Sequence, residues 1–254
     1  MKASTRNAMR NHAIAEFPKE AAGFVVITTD GEKYIPANNL SDTPNDSVIV
    51  CPKSQAKAYK AGDVVAFFHS HPNHPAEPSE ADLVACERMG KPWYILPLNN
   101  HNGGLEVGEL ITVIPSGYKA PLIGRAFNHG VLDCYTLIQD YYARELSIEL
   151  PDFHRDDEWW KKGGNLYEEN FTSAGFAKVT DLKPHDVVLM QYYSPVTNHA
   201  GVFIGDNQLK SESLGFKIPD SMIHHASNRL SERVVYGGYW ADITRMILRH
   251  EALL

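Results

Sequence analysis

The chain has 254 residues, with 24 Lys and Arg against 31 Asp and Glu, a net charge of −7 and 43% apolar residues. This length suits two soluble domains of roughly 100–150 residues each. The acidic balance, with no basic run, argues against nucleic acid or an anionic membrane as partner, because phosphate neutralisation needs surplus Lys and Arg. Cys51, Cys86 and Cys134 form no Cys-x-x-Cys pair and are too few for a disulfide framework, which points to folding in a reducing compartment. No segment approaches the ~20 apolar residues of a membrane span, and the N-terminus carries no apolar core of signal-peptide length.

In chain order, Ser4 or Thr5 is expected to cap a helix whose apolar face is Met9, Ala13, Ile14 and Phe17, ending at Pro18. Glu20 to Ile27 predicts a strand, turned at Asp30-Gly31 into a return strand from Lys33. After a polar loop from Asn38 to Asp46, a strand is expected at Val48-Ile49-Val50 and a helix from Ser54 to Ala61, stopped by Gly62. Val64 to Phe68 predicts a buried strand that runs into His69-Ser70-His71.

Alternate side chains of a strand share a face, so His69 and His71 point one way and Ser70 the other. Ser79 opens a helix from Glu80 to Met89, closed by Gly90, with Asp82 in its first turn. Catalytic zinc usually takes three protein ligands and leaves the fourth position to water. His69, His71 and Asp82 supply three, and Glu20 is the candidate carboxylate for the water's proton. Ser79-x-x-Asp82 also reads as a capping box, and His74 is a loop residue set among prolines.

Glu20, His69-Ser70-His71, Ser79 and Asp82 at these spacings resemble the JAMM signature of the Mov34/MPN/PAD-1 metallopeptidases over residues 1–113. The resemblance implies an α/β fold and hydrolysis of amide or isopeptide bonds. It makes Glu20 the general base, His69, His71 and Asp82 the Zn2+ ligands, and the Ser79 hydroxyl a donor to the oxyanion.

Strands are expected at Trp93–Pro97 and Leu110–Ile114, with a polar turn from Asn99 to Gly104 between them. Pro115 to Pro121 then reads as a linker, which places domains at 1–117 and 118–254. Cys134 stands at the head of a helical pattern of Leu137, Tyr141, Tyr142 and Leu146, where the macrodipole favours a thiolate. Paired strands follow at Asp186–Gln191 and Ala200–Asp206, with His199 opening the second. A helix headed by Cys and a sheet presenting His is the chain order of papain-like thiol hydrolases, in which a third polar group orients the imidazole. His224 is preferred for that place, with His225 in reserve. Trp159 and Trp160 suit either the core or a cleft wall, core packing being preferred.

Leu132-Asp133-Cys134 and the segment from His199 to Asp206 resemble the NlpC/P60 cysteine peptidases over residues 120–226. Two departures stand out. Tyr135-Thr136 replaces the usual Ser-Gly, and Gln208 to Pro219 looks like an insertion that leaves Ser211 at the usual spacing of the third residue. An α/β MPN domain followed by a papain-like α+β NlpC/P60 domain is similar to the tail-assembly proteins of lambda-like phages. Asp157-Glu158-Trp159-Trp160, Asn165-Leu166-Tyr167 and Val235 to Trp240 add to that likeness. It implies phage tail tip proteins as partners, peptidoglycan peptide as substrate, and a place in the host cytoplasm during assembly and in the tail at the host wall. The rival expectation is an assembly factor in which one or both sites no longer turn over.

Overall fold

The strand bearing the histidine pair lies at the centre of its sheet. The computed structural model describes residues 1–101, 103–156, 158–213 and 217–254, and the chain divides into units Met1–Lys119 and Ala120–Leu254.

In the first unit, α1 (Ala3–Glu16) buries Thr5, Met9 and Ala13, a stripe of every fourth residue. Ile14 lies off that stripe and is 41% exposed, so the apolar face is narrower than expected, and Lys2 rather than Ser4 or Thr5 is the N-cap. Strands β1 (Ala22–Thr28) and β2 (Gly31–Ala37) form a hairpin closed at Thr28↔Gly31, with Gly31 at φ +107. The strand expected at Val48–Val50 is reduced to one bridge, Asn39↔Val50. There Asn39, Ser41 and Ser47 side chains take up backbone groups that a ladder would otherwise use.

Helix α2 (Pro52–Ala61) ends at Gly62, followed by β3 (Asp63–Pro72), α3 (Glu80–Met89), β4 (Trp93–His101), β5 (Gly104–Val107) and β6 (Ile111–Val113). The sheet order is β2-β1-β3-β4-β5, with β6 also on β4, and among the described residues only β3 and β4 pair in parallel. Of the turn expected at Asn99–Gly104, Asn99 to His101 instead continue β4 and Gly104 opens β5, with pairs Asn99↔Glu106 and Asn100↔Leu105; Asn102 lies outside the described residues. Alternation along β1 and β3 builds two cores. Val25, Ala66 and Phe68 pack with Met9 and Ala13 of α1, while Phe24, Val26, Val64 and Phe67 pack with Ala58 of α2. Burying a side chain the size of Phe68 contributes about 1.5–3 kcal/mol.

The second unit begins without regular structure. It then forms α4 (Cys134–Tyr141), which runs into a π-helical turn at Tyr142–Leu146, and α5 (Leu166–Asn170). Strands β7 (Phe176–Val179), β8 (Val187–Met190), β9 (His199–Gly205), β10 (Ser221–His224) and β11 (Glu232–Val235) follow, then α6 (Tyr239–Ile243) and β12 (Thr244–His250). All pairings in this sheet are antiparallel, in the order β11-β10-β9-β8-β12-β7. Leu137, Ile138 and Tyr141 of α4 lie on one face against Leu189, Val202 and Ile223, and Trp240 and Ile243 cover Val188, Met190 and Met222. Asp157 of the aromatic stretch and residues 214–216 of the expected insertion lie outside the described residues.

Candidate active sites

In the first unit, the parallel crossover β3-α3-β4 brings the C-terminal end of one strand to the N-terminus of the next helix, where open α/β sheets bind ligands. His69 and His71 occupy the strand end, with Nε2 atoms 3.0 Å apart. Asp82, on α3, places Oδ1 3.1 Å from His69 Nε2 and Oδ2 3.4 Å from His71 Nε2. Ser70 points away, and its hydroxyl accepts from Ala21 N–H at 2.9 Å. That bond and Ser70 N–H to Ala21 O at 3.0 Å carry the chain leading from Glu20 alongside the histidine strand.

His69, His71 and Asp82 offer donor atoms all within 4.8 Å of one another. Two imidazole nitrogens and a carboxylate match the donors of a catalytic divalent site. Outer partners fix two of them: His71 Nδ1 meets Pro75 O at 3.0 Å, and the Ser79 hydroxyl donates to Asp82 Oδ2 at 2.7 Å. The reciprocal capping box, with Asp82 N–H to Ser79 Oγ at 3.1 Å and Ser79 N–H to Asp82 Oδ2 at 2.8 Å, sets the rotamer of Asp82. His74 pairs with Asp46 at 3.0 Å and is not in the three-residue cluster.

Burial raises Asp82, but hydrogen bonds from His69 and His71 outweigh it and hold the carboxylate well below its usual range. Burial pushes Glu20 up to about 8, with His71 opposing. A cation among the three side chains pulls such a carboxylate back toward its ionised form. Glu20 is anchored by its backbone. Its N–H donates to Pro44 O at 2.7 Å, and Asn39 Nδ2 donates to its carbonyl at 3.2 Å. Asn39 was hidden within the polar loop of the sequence; the signal that would find it is an Asx side chain serving residues on both sides of a turn.

In the second unit, Asp133 caps α4 through Thr136 N–H at 2.9 Å, and Thr136 Oγ1 accepts Asp133 N–H at 2.8 Å. Arg155 Nε holds the same carboxylate at 3.0 Å. Thr136 therefore completes a capping box that fixes the N-terminus bearing Cys134. Cys134, His199 and His225 line one cavity of about 300 Å³, walled by Tyr135, Phe153, Trp159, Trp160 and Tyr192. Trp159 is buried and Trp160 half-buried, and both belong to this wall. His199 Nε2 lies 3.1 Å from His224 Nδ1, and His224 Nε2 faces Glu232 Oε1 at 3.6 Å.

The other two candidates for the third position sit differently. His225 packs edge-on against Phe127, and its nitrogens approach the backbone of Arg125 and Arg229 without reaching hydrogen-bond geometry. Ser211 donates its N–H to Glu145 at 2.9 Å.

Gly201, two residues after His199, is registered opposite His224. A Cβ there would lie 2.9 Å from Ile223 O and 3.2 Å from His224 Cβ, which explains the glycine of the His-x-Gly pattern. Burial pushes the Cys134 thiol up to about 11, opposed by the Tyr167 hydroxyl and the Ala200 N–H. Burial also holds His199 well below its ordinary value, helped by its two histidine neighbours. Both shifts favour the uncharged forms of the thiol and the imidazole.

Residues 2–105 match the family described as prokaryotic homologs of the JAB domain, and residues 124–249 match the NlpC/P60 family. The tail tip assembly protein K of Escherichia phage N15 is 34% identical over 255 residues, covering 99% of this chain and 96% of that protein. The chain belongs to the tail tip assembly protein K family. The lambda member of that family is 34% identical over 203 residues, covering 79% of this chain and 89% of its own. A probable TtuB-protein conjugate cleaving protease of Thermus thermophilus is 34% identical over 119 residues, covering 45% of this chain and 74% of that protein. Mixed α/β architecture, with a JAB/MPN domain followed by an NlpC/P60 domain, is thus the fold of this K-family chain. No helix among the described residues is long and apolar enough to cross a membrane.

Proposed function

We propose that the chain acts in phage tail tip assembly as a bifunctional hydrolase, with tail tip proteins as partners. Residues 118–254 would form a cysteine peptidase for peptide bonds of peptidoglycan, and residues 1–117 a zinc-dependent amide or isopeptide hydrolase. The reading places the protein in the host cytoplasm during assembly and in the tail at the host wall. The observation that carries it is the cavity that Cys134, at a helix head, shares with His199, whose Nε2 lies against His224.

In the cysteine site, His199 Nδ1 receives the thiol proton while Nε2 is held by His224. Sulfur bonds to the carbonyl carbon, and collapse of the adduct expels the amine, which takes the proton from His199. Water then attacks the thioester with His199 as base, the carbon–sulfur bond breaks to release the acid, and the Cys134 sulfur takes the proton back from His199.

In the other site, His69, His71 and Asp82 would hold Zn2+. When bound there, the ion supplies Lewis-acid polarisation and makes water a better nucleophile near neutral pH. Glu20 takes the proton of the attacking water and returns it to the leaving amine. Ser79 holds Asp82 and, rotated away from Oδ2, donates to the oxyanion. Similarity to a conjugate cleaving protease supports an amide or isopeptide bond as this site's target.

A second reading, an assembly factor without turnover at one or both sites, is favoured by the names of the N15 and lambda relatives, which speak of assembly alone. Digestion of peptidoglycan by the full chain and by Cys134→Ala and His69→Ala, scored by mass spectrometry, separates the two. Fragments released by wild type and lost in Cys134→Ala support the wall peptidase. Equal release from both sinks it.

A further inference from the structure

We propose that Tyr167 is a further catalytic residue of the cysteine site, its hydroxyl donating to the Cys134 sulfur before attack and to the carbonyl oxyanion during it. This deepens, and rests on, the thiol-peptidase reading above. Tyr167 Oη lies 3.1 Å from Cys134 Sγ, across 33 residues of sequence.

The ring is held in place from several directions. Trp159 and Tyr135 meet it edge-on at centroid distances of 6.1 and 6.4 Å. Thr197, fully buried and two residues before His199, donates to Glu168 Oε1 at 3.0 Å and approaches Asn165 Oδ1 at 3.4 Å. One short segment, α5 with its leading residue Asn165, is therefore tied to both the nucleophile and the strand of the base.

Packing alone does not require a hydroxyl here. A hydroxyl shielded from water costs free energy unless it is hydrogen-bonded, and this part-buried one has the sulfur as partner. Burial drives the phenol well above its ordinary range, so it remains a neutral donor at any working pH. As sulfur bonds to carbon, the thiol proton goes to His199 and the carbonyl π pair moves onto oxygen. Negative charge then lies on an atom bonded to the same carbon as the sulfur, and a small rotation of the Tyr167 O–H follows it. The phenol proton is never transferred. The Cys134 N–H, at the first helical residue, belongs to the groups a helix leaves without an internal acceptor, and it supplies the second donor.

The test uses the full chain with two readouts: fragment release from peptidoglycan, and the pH midpoint of Cys134 alkylation by iodoacetamide. Tyr167→Phe keeps the ring and its packing. Its release rate is expected to fall about 10²-fold, the usual cost of losing one oxyanion donor, and its alkylation midpoint to move up. Replacing Tyr167 with 3-fluorotyrosine, a stronger donor of nearly the same shape, should move the midpoint down. A cleaving wild type whose Tyr167→Phe variant cleaves within about twofold and alkylates with the same midpoint overturns the Tyr167 assignment alone. A wild type that releases no more fragments than Cys134→Ala defeats the peptidase reading itself, and the catalytic role of Tyr167 with it.

Discussion

His224 joins two strands' worth of polar chemistry: its Nδ1 meets His199 Nε2 at 3.1 Å, while its Nε2 faces Glu232 at 3.6 Å from the neighbouring strand. In the proposed mechanism this contact holds His199 by Nε2 and keeps Nδ1 for the thiol proton. His224→Ala should therefore lower the turnover of peptidoglycan peptides by about 10²-fold or more, as loss of an orienting group does. His225→Ala should cost far less. Steady-state release rates of the two variants check the order, and a reversed order would transfer the third position to His225.

Acid should weaken the second unit. Burial lowers both His224 and His225 from 6.5 to about 4 in the folded state. The unfolded chain then binds more protons than the folded one between those values, so stability rises with pH across that window and falls as pH drops from 6.5 toward 4. Each histidine should cost about 1.5 kcal/mol between pH 6.5 and 5. Urea midpoints followed by tryptophan fluorescence at several pH values test this, with His225→Leu expected to flatten the slope. An unchanged slope in that variant would contradict the assignment.

Gly201→Ala should damage the cysteine site without touching a reacting atom. The added Cβ meets Ile223 O at 2.9 Å, so β10 must shift and carry His224 away from His199. Overpacking of this kind costs about 1–3 kcal/mol. Chemical denaturation should show that loss, and the release rate should fall further than stability alone explains.

Ser79→Ala separates two roles of one hydroxyl. Losing the cap should cost about 1 kcal/mol of stability, and losing the brace on Asp82 should weaken zinc retention by about 10–100-fold. Competition with a chromogenic chelator measures the second effect. Affinity equal to wild type would show that Ser79 does not position the carboxylate.

Much of the first unit was legible because its geometry is local. A period of two puts His69 and His71 on one face, and Ser79 and Gly90 bracket the helix that returns Asp82 to them. The hairpin of β4 with β5 was missed because Asn99, Asn100 and Gly104 are turn-forming types, and cross-strand pairing overrode that preference. In the second unit, strand positions showed in their apolar runs, and the head of α4 in Asp133. Glu232 and Asn39 did not show, and Tyr167 showed only as part of a family likeness, with no role attached. Their contacts span 8 to 33 residues and use common side chains, so no spacing marks them.

The order of the second sheet also bears on when the thiol can become reactive. Strand β12, the last of that sheet in sequence, lies between β8 and β7 rather than at an edge. During synthesis Cys134 leaves the ribosome well before His199, and His224 later still, while the sheet supporting both histidines lacks an internal strand until residues 244–250 emerge. A nascent chain therefore exposes Cys134 with neither histidine beside it, and the sheet that carries both histidines is completed only once residues 244–250 have been made.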